Sequence, residues 1–262
     1  MRDLIVLMPV YNDQKDMIRT LDSINEDNND FSVLIIDDGS KTPLTLNNKQ
    51  YKFTVKIHRL TVNKGITGAL NAGLDLISEM DNIRYIARLD AGDIQVKNRF
   101  KTQRLYFNKN QKTKLLGSNV SFYDVNGAAV FDTNLPLTDA AIKKEKFIRS
   151  CFIHPTVMFS KEIIEEGLRY SENYPCAEDY ELFLRITNKY EVANLSDKLL
   201  FCHDRANGIS ITRRKKQISS VLKCLLTHRD YKSPYWYVGI GKVLAQYFVP
   251  RSVFSYIKAR LS

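Results

Sequence analysis

Cysteine is scarce, with four residues in 262, and no two form a C-x-x-C pair. The spacing of Cys151, Cys176, Cys202 and Cys224 suggests neither a zinc site nor a disulfide framework. They read as reduced core thiols of a cytosolic protein. Apolar runs of membrane-spanning length are missing too. The longest candidate, residues 235–249, contains Lys242 and is followed by Pro250, and it falls short of the roughly 20 residues a bilayer requires. The opening apolar stretch, residues 4–9, is too short for a signal peptide and reads as a strand. There is no internal repeat and no low-complexity linker. Acidic residues are almost absent from the C-terminus. Residues 1–210 hold 28 Lys+Arg and 28 Asp+Glu, whereas residues 211–262 hold 11 Lys+Arg and one acid, Asp230, so the whole net charge of +10 sits there. Such asymmetry points to an anionic partner, either a membrane surface or a nucleic acid.

Short apolar runs alternating with amphipathic stretches are what the sequence does contain. Residues 4–9, 31–36, 55–60 and 85–89 have strand length and composition. Residues 16–25 place Met17, Leu21 and Ile24 at helical spacing, and residues 68–80 do the same with Ala69, Leu70, Leu76 and Ile77. Strand-helix-strand order with continuously apolar strands predicts an α/β fold, a mostly parallel sheet with helices on both faces. Ligands of such sheets bind at the carboxyl ends of the strands. Further on, residues 114–123 alternate like a strand and Asn126-Gly127 is a turn signal. Residues 139–149 read as a helix, 156–159 as a strand and 178–188 as a helix. Residues 1–210 form one expected domain. Residues 211–262 are a basic, amphipathic helical region whose aromatic stripe suits a membrane interface.

Polar clusters follow the apolar runs: Pro9-Val10-Tyr11-Asn12, Asp37-Asp38-Gly39-Ser40, Asn63-Lys64-Gly65 and Asp90-Ala91-Gly92-Asp93. A fifth, Ala177-Glu178-Asp179-Tyr180-Glu181, opens a helix. Moving a sugar from a nucleotide diphosphate needs a hard cation on the leaving group, and such a cation prefers carboxylate oxygen. It also needs a general base for the acceptor hydroxyl and a polar slot for the nucleoside. These clusters contain residues of each kind.

Taken in order, these motifs resemble the family 2 glycosyltransferases, inverting enzymes of the GT-A fold that build bacterial surface polysaccharides. The likeness takes in Ala87-Arg88-Leu89-Asp90-Ala91-Gly92-Asp93, Arg99-Phe100, Gln103, His154-Pro155-Thr156 and Glu178-Asp179-Tyr180, and spans roughly residues 4–210. The resemblance implies that Pro9, Tyr11 and Asn12 line the nucleotide pocket and that Asp38 bonds the uracil edge. Lys64, Gly65 and Arg88 lie near the nucleotide sugar. Asp90 and Asp93 hold Mn²⁺ or Mg²⁺, with Asp90 also facing ribose or diphosphate. Asp179 is the catalytic base, and Glu178 and His154 belong to the acceptor site. It further implies a UDP-Gal, UDP-Glc or UDP-GlcNAc donor, a polyprenyl-diphosphate-linked sugar acceptor and a β-glycosidic product in O-antigen or capsule assembly. The setting would be peripheral, on the cytoplasmic face of the bacterial inner membrane, with an anionic membrane surface and no nucleic acid as partner.

Two positions depart from the family pattern. Gly92 stands where an acidic residue is usual, so the carboxylates are three apart instead of two. In Cys202-His203-Asp204-Arg205, Arg205 lies nearer the register of a late metal-contacting histidine, and His203 comes two residues early. Each motif also has a simpler reading as a polar turn, a helix cap, a helix-dipole partner or a buried histidine. Two other functions compete with glycosyl transfer. A sugar nucleotidyltransferase would carry a glycine-rich basic loop after the first strand, where Val10-Tyr11-Asn12-Asp13 stands. A nucleic-acid binder would use the basic tail and stack bases on its aromatics, leaving the carboxylate clusters unexplained.

Overall fold

Strand β1 (Leu4–Val10) is buried almost end to end, so its alternate side chains serve two different layers. Leu4, Val6 and Met8 join one core with Met17 and Leu21 of helix α1 (Gln14–Ser23) and Phe100 and Phe107 of α3 (Arg99–Lys109). Ile5 and Leu7 join the opposite core with Ala69, Leu70, Leu74 and Ile77 of α2 (Gly65–Ser78). The computed structural model describes residues 3–124, 127–203 and 213–248.

Beside β1 lie β2 (Phe31–Asp37), β3 (Thr54–Arg59) and β4 (Tyr85–Arg88), all parallel. The sheet continues through β8 (Met158–Ser160), β6 (Thr113–Tyr123), β9 (Glu191–His203) and β5 (Ile94–Gln95), in the order β3-β2-β1-β4-β8-β6-β9-β5. In this half β8 is antiparallel to both neighbours, β6 and β9 are parallel, and β7 (Ala129–Asp132) forms a hairpin with β6. The expected α/β fold is present, with its parallel strands concentrated in the N-terminal half. Val10 is in register with Asp37, and Leu7 with Arg88, so the carboxyl ends of β1, β2 and β4 share one edge. The polar clusters of the sequence converge on that edge.

Several elements differ from the sequence expectation. The helix expected over 139–149 is α4 (Asp139–Glu145), capped by Thr138, whose hydroxyl accepts from Ala141 N. Beyond it, Phe147 turns into a separate cluster with later helices. The strand expected from 156 begins at Met158, because His154–Thr156 forms a 3-10 turn with proline in its first turn. Short α5 (Glu162–Glu165) and the long α6 (Glu178–Lys189) complete the fold up to β9. Asn126 of the expected turn lies outside the described residues.

The basic region contains α7 (Arg214–Thr227) and α8 (Pro234–Phe248). They pack on the α/β unit. Trp236, Val243, Ile218, Cys224 and Leu225 form a buried cluster with Phe147, Tyr174, Tyr180 and Leu184. Ser220 Oγ donates to Pro175 O at 2.7 Å and fixes α7 to the α/β unit, while Trp236 Nε1 donates to Leu225 O at 2.7 Å and ties α8 to α7. Gly239 lets α8 approach closely, since a Cβ there would stand 2.1 Å from Phe147 O. Gly239→Ala is therefore expected to destabilise the protein by about 1–3 kcal/mol through overpacking. Urea unfolding of the two proteins measures this, and an unchanged midpoint would contradict the contact. No described helix is long and apolar enough to cross a membrane.

Candidate active site

A cleft of about 440 Å³ opens at the shared strand edge. Pro9, Val10 and Tyr11 form one wall at the end of β1, Asp38 closes the end of β2, and Asp90, Ala91 and Asp93 border the loop after β4. Of the residues expected at the nucleotide sugar, Pro9, Tyr11, Asp38 and Asp90 line this cleft, as does Asp93. Asn12, Lys64, Gly65 and Arg88 do not.

Their neighbours explain the placement. Asn12 takes a left-handed backbone (φ 53°) and ties two loops together: its N–H donates to Ser40 Oγ, and its Oδ1 accepts from Lys41 N. Lys64 N donates to Asp38 Oδ1 at 2.7 Å, orienting the carboxylate beside the cleft. Gly65 begins α2. Burial pushes the Asp38 carboxyl above its ordinary range, against the pull of the Lys64 and Gly65 amides. Asp37 is structural. It accepts from Ser40 N and Leu44 N and faces Arg59.

Thr20 of α1 anchors the Asp90–Asp93 loop: its hydroxyl donates to Asp93 O at 2.9 Å and accepts from Gly92 N at 2.8 Å. Gly92 has φ 101°, a conformation that strains any residue with a Cβ. This backbone therefore favours glycine where the resemblance leads one to expect an acid, and Asp93 is the next carboxylate along the loop.

Arg88 is fully buried beneath the loop. Its guanidinium donates to Leu7 O at 2.7 Å, Leu89 O at 3.1 Å, His154 Nε2 at 3.3 Å and Asp90 Oδ1 at 2.5 Å. It therefore orients Asp90 from behind. His154 Nε2 also meets Tyr170 Oη at 2.8 Å. Burial and the adjacent Arg88 charge hold His154 down to about 3, so its imidazole is neutral and accepts at Nε2. His154 is thus a support for Arg88. Tyr170 is itself positioned by paired hydrogen bonds between its backbone and the Asn71 side chain.

Asp179 lies at the start of α6, where Oδ1 accepts from Tyr180 N at 2.7 Å. Burial raises its pKa. Backbone hydrogen bonds and Arg88 oppose the rise, and Asp90 adds to it. Glu178 beside it is pushed up to about 7 by burial and then by Asp179. Asp179 does not line the first cleft. It borders a second one, of about 230 Å³, walled by the loop after α4 and by α7 and α8. The charge of Asp90 thus acts on Asp179 from the neighbouring cleft.

No three His, Cys, Asp or Glu side chains form a protein-only metal cage among the described residues. Asp90, Asp93 and His203 nevertheless line one cleft. The two carboxylates suit a divalent cation whose other ligands come from diphosphate and water, the usual situation of Mg²⁺ at nucleotides. His203, two residues early for the late-histidine register, lies on the cleft wall. Arg205, the other residue near the late-histidine register, lies outside the described residues. Thr20 and Tyr170 were missed, because a mid-helix threonine and a loop tyrosine carry no sequence signal.

Known proteins share the sequence pattern and the fold of this chain. The model of the family "Glycosyl transferase family 2" matches residues 5–168. The O-antigen biosynthesis glycosyltransferase WbnJ of Escherichia coli is 28% identical over 199 residues, covering 74% of this chain and 77% of its own. The amylovoran biosynthesis glycosyltransferase AmsE of Erwinia amylovora is 30% identical over 217 residues, covering 80% and 79%. The crystal structure of S. aureus TarS 1-349 in complex with UDP-GlcNAc superposes with a TM-score of 0.65 at 17% identity, covering 94% of this chain and 72% of that one. This structural likeness establishes the GT-A architecture.

Proposed function

Since the chain belongs to glycosyl transferase family 2, we propose that it is an inverting transferase. It moves a hexose or N-acetylhexosamine from a UDP-sugar to a sugar hydroxyl of a lipid-linked acceptor in the assembly of a bacterial surface polysaccharide. One observation carries the reading: Asp38, Asp90 and Asp93 share a cleft, and Asp179 lies within electrostatic reach of Asp90 at a neighbouring one. O-antigen and amylovoran synthesis by the two relatives supports the polysaccharide setting. The UDP-GlcNAc complex of TarS supports a UDP donor.

In this reading Asp38 accepts a hydrogen bond from the uracil and Tyr11 covers the nucleoside. Asp179 removes the proton from the acceptor hydroxyl. That oxygen bonds to the anomeric carbon as the bond from carbon to the diphosphate oxygen breaks, and UDP leaves with the electron pair. Attack from the face opposite the leaving group turns an α-linked donor into a β-glycoside. The raised pKa of Asp179 makes it a stronger base than an exposed aspartate. Asp90 and Asp93 would hold Mn²⁺ or Mg²⁺, which would stabilise charge on the departing diphosphate. EDTA is therefore expected to stop UDP release from the donor, and added Mn²⁺ or Mg²⁺ to restore it. Full activity in excess chelator would remove the cation from the mechanism.

The acceptor's lipid places the enzyme at the cytoplasmic leaflet of the inner membrane. Leu222, Leu226, Leu244, Tyr247 and Phe248 line an apolar groove on the outer side of α7 and α8, in a region carrying the net positive charge of the chain. Apolar side chains beside basic ones suit an anionic bilayer surface. Replacing Leu226, Tyr247 and Phe248 with Ser is expected to weaken binding to phosphatidylglycerol vesicles by about tenfold or more, from lost apolar burial. Unchanged co-sedimentation would contradict this orientation.

A further inference from the structure

We infer that the second cleft is an acceptor subsite that binds the phosphate or diphosphate group of the acceptor, with Lys242 of α8 as its anion-binding residue. The inference rests on the proposed transferase reading and adds to it the place where the acceptor's phosphate binds and the role of the C-terminal helices.

Asp179, the base, borders this cleft of about 230 Å³. The rest of its wall comes from the segment that opens α6, from the loop after α4, which supplies Arg149, and from the helices α7 and α8, which supply Gln217, Lys242 and Gln246. The charges are unequally compensated. Arg149 is paired with Glu145 at 2.7 Å. Lys242 Nζ donates to the carbonyl of Ile148 at 3.0 Å, and no carboxylate pairs with it among the described residues. Burial and then the repulsion of Arg149 lower its pKa. An anion placed between the two cations would relieve that repulsion.

The side-chain amides of Gln217 and Gln246 line the same space, and no hydrogen bond is formed by either amide among the described residues. They offer neutral donors for further phosphate or sugar oxygens. Cys176, also on the wall, holds a left-handed backbone (φ 66°) three residues before Asp179. Left-handed geometry at a residue other than glycine or asparagine costs energy and concentrates at binding sites. The wall is also fixed in place, because Gly239 seats α8 directly on Phe147.

The arrangement suits an acceptor whose reactive hydroxyl reaches Asp179 while its phosphate lies toward Lys242. A sugar linked through a diphosphate to a lipid has that shape. Its lipid would leave by way of helices whose outer face is apolar. The basic excess of the C-terminal region thus has a second use besides contact with bulk lipid.

The test uses the full chain saturated with UDP, so that the donor cleft is filled and cannot capture the probe. Decyl diphosphate is titrated by calorimetry into wild type, Lys242→Gln and Lys242→Arg. Expected are one site per chain in wild type, about tenfold weaker binding in Lys242→Gln from loss of a charge-assisted contact, and near wild-type affinity in Lys242→Arg. UDP affinity, measured separately, stays the same in all three. Inorganic diphosphate should compete with the alkyl probe, which identifies the head group as the element recognised. Equal affinity of wild type and Lys242→Gln would overturn the proposal, as would no binding to the UDP-loaded protein. Competition by phosphatidylglycerol vesicles but not by inorganic diphosphate would also overturn it, assigning Lys242 to the bilayer surface. Because UDP binding is read independently, failure here is distinguishable from failure of the transferase reading.

Discussion

Asp179→Asn is expected to lower sugar transfer by about 10²–10⁴-fold, the usual contribution of a general base, while leaving UDP affinity nearly unchanged. The amide keeps the size of the side chain and can still accept the 2.7 Å hydrogen bond from Tyr180 N. It cannot take up the hydroxyl proton. The separation of effects follows from position, since Asp179 borders the second cleft and not the one that holds Asp38 and Asp90. Initial rates with saturating donor, together with a UDP titration, provide the check. Loss of UDP affinity equal to the loss of rate would return Asp179 to the donor site. The neighbouring charge adds a pH test. Burial and Asp90 raise the pKa of Asp179, and Glu178, pushed up to about 7, titrates beside it. Activity should therefore rise with pH through the acidic limb as Asp179 loses its proton.

Arg88→Met is expected to damage stability and catalysis together. The guanidinium has no solvent exposure and serves two carbonyls, one imidazole and one carboxylate. Its removal strands buried acceptors, and each one left unsatisfied costs about 1–3 kcal/mol. Asp90 would also lose the group that orients it, and displacement of a positioned group by an ångström costs about a hundredfold in rate. Chemical denaturation and donor turnover report the two effects. Arg88→Lys should recover charge without the fork that reaches several acceptors at once, and so rescue only part of each. A fully active, fully stable Arg88→Met protein would show that Asp90 is held by something else.

The parallel half of the sheet was legible in the sequence because β1, β2 and β4 are buried on both faces and so read as unbroken apolar runs. Helix α3 was not, because its buried face includes Arg99 and Gln103. Arg99 donates to Arg88 O and Pro155 O, and Gln103 to Thr156 O. A helix that buries hydrogen-bonded polar groups has no apolar stripe to detect. Strand β9 was hidden by Asn194, Ser196, Asp197 and Lys198 in its middle, where its register with β6 shifts. Asn194 is nevertheless buried, with its amide donating to Pro136 O and Cys151 O.

The acids of the first cleft were readable, since each follows an apolar strand. The cleft's internal division of labour was not. Sequence spacing could not reveal that Arg88 lies beneath Asp90 and is supported by His154, or that Lys64 acts through its backbone on Asp38. The C-terminal helices show the same limit. Their aromatic stripe announced an amphipathic surface, but only packing distinguishes Trp236 and Val243, which face inward, from Tyr247 and Phe248, which face out.

The most direct test of the account is a donor screen. The protein is incubated with UDP-Gal, UDP-Glc and UDP-GlcNAc, with and without a GlcNAc-diphosphate-lipid analogue, and UDP release is measured. The account predicts UDP release from one of these donors, dependent on Asp90 and stimulated by an acceptor. No UDP release from any donor, with formation of a UDP-sugar and diphosphate from UTP and a sugar phosphate instead, would contradict it.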